Sequence, residues 1–265
     1  MIRSSLAVGL LALGLLAAPA NAQGAAVVAP PAPLPNVVLV HGAFADGSSW
    51  GPVIERLQAA GYTVTAVQLP LTALAADVER TRAVLASQTG PTLLVGHSYA
   101  GAVITALGPD APNVVGLVYV AAFAPDEGET VQALASAEPS AAGAAAIRPD
   151  ASGFLWLDPE GFLRYFAPDV PPAQARVMAA VQKPIAAASL LNEEPLGPPS
   201  WRTLPSWYLV AEEDQMIPPV RQHAFADRAG ATVSSVASSH VPMVSHPDVV
   251  ADLIQTAARA VATGG

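Results

Sequence analysis

At 265 residues, 52% of them hydrophobic, the chain is long enough for one large core and short for two independent domains. Its 12 Lys and Arg against 21 Asp and Glu give a formal charge of −9, which argues against nucleic acid or an anionic lipid surface as partner and favours a neutral or apolar small molecule. Cysteine is absent, so disulfide scaffolds and thiolate metal sites are excluded.

Met1 to Ser5 carry one positive charge, at Arg3, Leu6 to Ala18 are almost wholly apolar, and Ala20-Asn21-Ala22 forms an A-x-A cleavage site. The apolar stretch 6–18 falls short of the roughly 20 residues that span a bilayer, so residues 1–22 read as a signal peptide. Export is the expectation, periplasmic or secreted, with no stable membrane span after cleavage near Ala22. Loss of Arg3 takes the formal charge from −9 to −10. Residues 23–35 contain Pro30, Pro31, Pro33 and Pro35 with no amphipathic period, which predicts an extended linker. The folded domain is expected over 36–265.

From residue 36 onward, apolar runs alternate with helical patterns. Strands are predicted over 37–40, 63–69, 92–95 and 114–123, with helices over 50–60, 74–87 and 99–107 between them. Short apolar runs separated by amphipathic stretches indicate buried parallel strands joined by helical crossovers, the α/β class. The alternation lapses over 128–200, an Ala- and Pro-rich stretch with short helical patterns at 159–166 and 173–181 and no clear strand. Such an insertion is too long for a plain loop and reads as a small helical lid over the carboxyl edge of the sheet. The alternation resumes with a strand over 207–210, a helix over 219–229, a strand over 232–236 and a final helix over 247–260.

The sharpest signal is Gly96-His97-Ser98-Tyr99-Ala100-Gly101, directly after the third predicted strand and opening the next helix. A serine on such a strand-to-helix turn is held in a strained backbone conformation that lifts its hydroxyl clear of the sheet, and small neighbours keep the helix start close. Ala100 replaces the last glycine of G-x-S-x-G, a mild departure. Ser98 is therefore the candidate nucleophile, a reading that the strand-and-helix setting favours over a plain helix N-cap.

At the end of the first strand, His41-Gly42-Ala43-Phe44 makes a turn able to aim the N–H of Ala43, or that of Phe44, at the point faced by the N–H of Tyr99. Two such donors form an oxyanion hole. His41, at a strand end, is read as structural, orienting the loop by a hydrogen bond.

Three histidines occur late in the chain. His223 sits in a polar stretch beside Arg221 and Gln222, where a solvated face is expected. His246 stands at the entrance to the last helix. His240 follows the last strand, where a loop delivers a general base to the carboxyl edge, and is the candidate. The orienting acid belongs after the preceding strand, and Asp214, 26 positions before His240, is favoured over Glu212, Glu213 and Asp126. Phe44 and Phe123 are candidate pocket walls, with Tyr99, Trp156, Phe162 and Phe166 as further aromatic candidates. No metal or cofactor is expected.

On Ser98 and its flanking residues, the chain resembles the α/β-hydrolase superfamily. Val40-His41-Gly42-Ala43-Phe44 with Ser48-Ser49-Trp50 resembles the branch of plant methyl-ester hydrolases and hydroxynitrile lyases, over roughly 36–260. The resemblance implies a Ser-Asp-His triad beneath a helical cap. It implies further that a lyase would carry lysine where Val241 stands, which favours ester hydrolysis, and that dehalogenases and epoxide hydrolases, with aspartate at the nucleophile position, are excluded by Ser98. Small or medium apolar esters are the expected substrates. Lactone, amide or carbon–carbon bond hydrolysis on the same residues, and a non-catalytic ligand-binding protein on this fold, are the alternatives.

Overall fold

Val37, Val38, Leu39 and Val40 are all fully buried, which requires cover on both faces of their strand and accounts for an uninterrupted apolar run. The computed structural model describes residues 1–2, 34–107 and 111–263. Most of the expected signal peptide and most of the linker lie outside the described residues.

The alternation appears in chain order as β1 (Asn36–Val40), α1 (Gly51–Ala59), β2 (Val64–Val67), α2 (Leu74–Ala86), β3 (Thr92–His97), α3 (Ala100–Ala106) and β4 (Val114–Val120). The insertion follows, with α4 (Val131–Ser136), β5 (Ile147–Pro149), β6 (Phe154–Leu157), α5 (Pro159–Gly161) running into a π-helical turn at Phe162–Phe166, α6 (Pro172–Val181), β7 (Ile185–Ala186) and α7 (Ala187–Leu190). The chain closes with β8 (Ser206–Ala211), α8 (Pro219–Arg228), β9 (Thr232–Val236), α9 (Pro242–Ser245) and α10 (Pro247–Thr263).

Six strands form one sheet in the order β2-β1-β3-β4-β8-β9, every neighbouring pair parallel. The chain leaves β1 toward β2 on one side and returns to β3 on the other. The carboxyl ends of β1 and β3 therefore diverge at a topological switch point, where open α/β sheets leave a crevice. Of the described residues, no helix is long and apolar enough to cross a membrane.

Two expectations need correction. Residues 128–200 are not free of strands, because β5, β6 and β7 pair antiparallel as a second, three-stranded sheet among the cap helices. These strands are two to four residues long, too short for a period-2 signal to emerge from an Ala- and Pro-rich stretch. The fourth strand stops at Val120, three residues early, because Ala121 takes φ 45°, a left-handed conformation that ends the extended run.

Candidate active site

The turn between β3 and α3 sets the site. Ser98 has φ 54°, the strain expected of a side chain lifted off a strand-to-helix bend. Its carbonyl accepts from the N–H of Gly101 at 3.0 Å and of Phe123 at 3.1 Å, tying the turn to the segment after β4. That approach is possible only because residue 101 lacks a side chain, since a Cβ there would lie 1.9 Å from the Phe123 carbonyl oxygen. Tyr208, fully buried on β8, holds the same segment through its hydroxyl, which accepts from the Ala122 N–H at 3.0 Å and donates to the Ala122 carbonyl.

Ser98, His240 and Asp214 come together at the carboxyl edge of the sheet. The Ser98 Oγ lies 2.7 Å from Nε2 of His240, and Nδ1 of the same ring lies 2.7 Å from Oδ2 of Asp214. The side chains of His240 and Asp214 are 2% and 0% exposed, so both contacts lie out of bulk water. The carboxylate Oδ1 also accepts from the N–H of Met216 (2.7 Å) and Ile217 (3.0 Å), and Oδ2 accepts from Nε2 of Gln222 at 2.8 Å. An acceptor this fully occupied at Nδ1 assigns the proton to that nitrogen and leaves Nε2 to receive from the serine hydroxyl.

The rival acids are elsewhere. Glu212 and Glu213 are exposed, and Asp126 pairs with Arg202. His223 is exposed beside Glu212 as expected, yet its neighbours Arg221 and Gln222 are buried, contrary to a solvated face. Gln222 supports Asp214 while also donating to the Ile217 carbonyl at 2.7 Å and accepting from the Ala211 N–H at 3.0 Å. His246 Nδ1 engages the hydroxyl of Ser245 at 2.9 Å, at the start of α10.

The loop after β1 packs directly on Ser98, since a Cβ at Gly42 would lie 2.8 Å from that of Ser98. His41 orients this loop. The Leu69 N–H donates to its Nε2 at 3.0 Å, so Nδ1 carries the proton and donates to the Gly42 carbonyl at 2.9 Å. Burial depresses the His41 pKa to about 4, keeping the ring neutral. Phe44, next along, has φ 59°. Among the described residues, no acceptor takes the N–H of Ala43 or of Tyr99.

Tyr99 does not line the cleft through its side chain, which is fully buried and donates its hydroxyl to Oδ2 of Asp77 at 2.7 Å. Asp77 accepts from the Leu71 N–H at 2.7 Å, and burial pushes its carboxyl pKa above the usual range. Trp156 stands in the cap sheet with its indole N–H on Asp150 at 2.9 Å.

Phe44, Phe123 and Phe166 do line the cleft that holds Ser98 and His240. It measures about 500 Å³, open solvent at its mouth included, and its other walls include Ile147, Leu190, Met216 and Ile217, with no Asp, Glu, Lys or Arg. A second cleft of about 570 Å³, measured likewise, shares Phe44 and Phe166, adds Phe162, Met178, Val241 and Val244, and carries polar groups at Asp46, Gln174 and Gln182. The two shared rings meet edge to face at 6.4 Å and form the partition.

His97 went unread in the sequence although it stands inside the turn motif. Its Nε2 donates to the His240 carbonyl at 2.7 Å, and its ring lies 4.8 Å from that of His240. Burial drives its pKa well below the ordinary value, with the neighbouring His240 adding to the effect. The only available signal was its place beside Ser98.

The model of the Alpha/beta hydrolase family matches residues 37–253. A pyrethroid hydrolase of Sphingobium wenxiniae is 28% identical over 248 residues, covering 83% of this chain and 86% of its own. The solved structure of a pyrethroid hydrolase from Sphingobium faniae superposes with a TM-score of 0.74 at 25% identity, covering 85% of this chain and 98% of the other. A methylesterase from Arabidopsis shares the fold, with a TM-score of 0.70, 18% identity, and coverage of 85% of this chain and 99% of its own.

Proposed function

The chain belongs to the alpha/beta hydrolase family, and from that premise we propose that it hydrolyses small or medium apolar esters through an acyl-enzyme on Ser98. The observation that carries the proposal is the unbroken line from the Ser98 hydroxyl through the His240 ring to Asp214, with 2.7 Å at each contact. In the first step His240 Nε2 takes the hydroxyl proton as Oγ attacks the ester carbonyl, and Asp214 stabilises the imidazolium that forms. The N–H groups of Ala43 and Tyr99 receive the negative charge on the carbonyl oxygen. Collapse of the intermediate breaks the bond to the alcohol, which leaves with the proton from His240. Water, deprotonated by the same nitrogen, then attacks the acyl carbon, and collapse releases the acid while His240 passes the proton to the departing Oγ of Ser98.

The substrate class rests on the cleft wall. A lining without a carboxylate, ammonium or guanidinium side chain offers nothing to pair with an ionic substrate and favours burial of apolar arms. Pyrethroid hydrolases among the relatives agree with an ester of this kind. Val241, 1% exposed, puts an apolar side chain after the base where a lyase of the similar branch carries lysine.

The test is a fluorophosphonate probe followed by peptide mass spectrometry, paired with turnover of short-chain aryl esters. Labelling on Ser98, loss of both labelling and turnover in Ser98→Ala, and an unchanged melting temperature are expected. A wild type that neither labels nor turns over any aryl ester returns the protein to the ligand-binding alternative, whereas labelling with preference for lactones or amides redirects the substrate class. The same spectra locate the mature N-terminus, which we place at Gln23, after an exported leader.

A further inference from the structure

One carboxylate near the site has no part in the mechanism above. Asp169 lies in the cap, between the π-helical turn and α6, yet it hydrogen-bonds to Ser238 and Ser239 of the loop that carries His240, with Nδ1 of His246 at 3.8 Å from its Oδ2. Its Oδ2 accepts from the Ser239 N–H at 3.0 Å and from the Ser238 hydroxyl at 3.1 Å, and its Oδ1 accepts from the Ser239 hydroxyl. Its side chain is 18% exposed, and Ser238 and Ser239 are buried. Burial alone would raise its pKa, but the hydrogen bonds from Ser239 hold the carboxyl below the usual range.

The cap reaches this loop at two further points. The Phe166 carbonyl lies 3.3 Å from the Ser239 hydroxyl, and the Phe166 ring stands 5.2 Å from that of His240. On the opposite side, His97 holds the His240 carbonyl. Residues 239 and 240 are thus suspended between the turn that carries the nucleophile and the cap.

We propose that Asp169 is a positioning residue, a cap carboxylate that grips the backbone and hydroxyls of Ser238 and Ser239 and so sets where the His240 imidazole stands between Ser98 and Asp214. The consequence is that the cap does more than cover the cleft. Seating the cap and aligning the base become one event, because the side chain that anchors the first is bonded to the residue next to the second. The proposal rests on the esterase reading of Ser98 and His240.

Asp169→Ala and Asp169→Asn test it in the full chain, by fluorophosphonate labelling rate, by kcat and KM on a short-chain aryl ester, and by hydrogen exchange of the Ser239 amide. In Asp169→Ala, labelling and kcat are expected to fall between about tenfold and a hundredfold, the scale of a small misplacement of a reacting group. KM should stay within about twofold, since Asp169, Ser238 and Ser239 do not line the cleft that holds Ser98. The Ser239 amide should exchange faster while the amides of β3 and β4 keep their protection. Asp169→Asn retains one acceptor for the Ser239 N–H and should recover part of the rate. Labelling and kcat at wild-type levels in Asp169→Ala overturn the proposal, as does a loss that appears in KM alone or that merely tracks the folded fraction. A wild type that is itself inert overturns the esterase reading instead and takes this one with it, and the Ser239 exchange in the two variants then still reports whether the grip exists.

Discussion

Gln222 shows how much of the site depends on residues that never meet a substrate. It is fully buried, and its amide meets three partners: Asp214 Oδ2, the Ile217 carbonyl and the Ala211 N–H. Replacement by leucine keeps the volume and strands all three in a dry interior. An unsatisfied buried polar group costs about 1–3 kcal/mol, more where it is charged. We expect Gln222→Leu to lower stability by about 2–4 kcal/mol in chemical denaturation. Turnover should fall as well, since Asp214 loses one of the bonds that aim it at His240. A variant as stable and active as wild type would show that water replaces the amide. The candidate acid, base and nucleophile were legible from their places after strands, but Gln222 was not. A glutamine in a polar helical stretch gives no sign that it faces inward, because the helical period alone does not reveal which polar residue a buried carboxylate requires.

At the scale of elements, the packing of α3 against the end of β4 decides whether Ser98 is presented at all. The sequence made this unit readable because strand, turn and helix each had a local cause: a buried apolar run, small residues at the bend, and an apolar helix. The cap was harder. Its helices at 159–166 and 172–181 left a pattern, whereas its three strands were too short to do so and are fixed by pairing with one another. Gly101 permits a test of the turn. A methyl group there meets a backbone carbonyl, not a flexible side chain, so α3 or the Ala122–Phe123 segment must shift. Overpacking of this kind costs about 1–3 kcal/mol, occasionally more. Gly101→Ala should therefore unfold at lower denaturant and lose most of its fluorophosphonate reactivity even while folded. A folded variant labelling at the wild-type rate would mean that the turn absorbs the displacement elsewhere.

For the whole molecule, the buried histidines make stability a function of pH. His41 and His97 are both 0% exposed and both depressed below the ordinary histidine pKa of 6.5, His41 to about 4 and His97 in the same direction, with burial as the main cause. Each is neutral when folded and free to take a proton when unfolded. As pH falls below 6.5 the unfolded chain gains protons that the native sites refuse, so the unfolded state binds more and stability declines with acid. For His41 the window runs from 6.5 down to about 4, and a gap of that size corresponds to about 3 kcal/mol. Asp77, raised by burial, works the other way, because its native form accepts a proton sooner than the unfolded chain does. Asp46 and Asp169, both held below the usual carboxylate range, carry the loss on to lower pH. The histidines therefore govern the region above the carboxylates. Denaturation in urea at pH 7, 5.5 and 4.5 should show a steady fall in unfolding free energy, and His41→Gln should shallow that slope by about one proton. Equal slopes in the two proteins would mean that the His41 ring is protonated in the fold, where the Leu69 N–H could no longer donate to its Nε2.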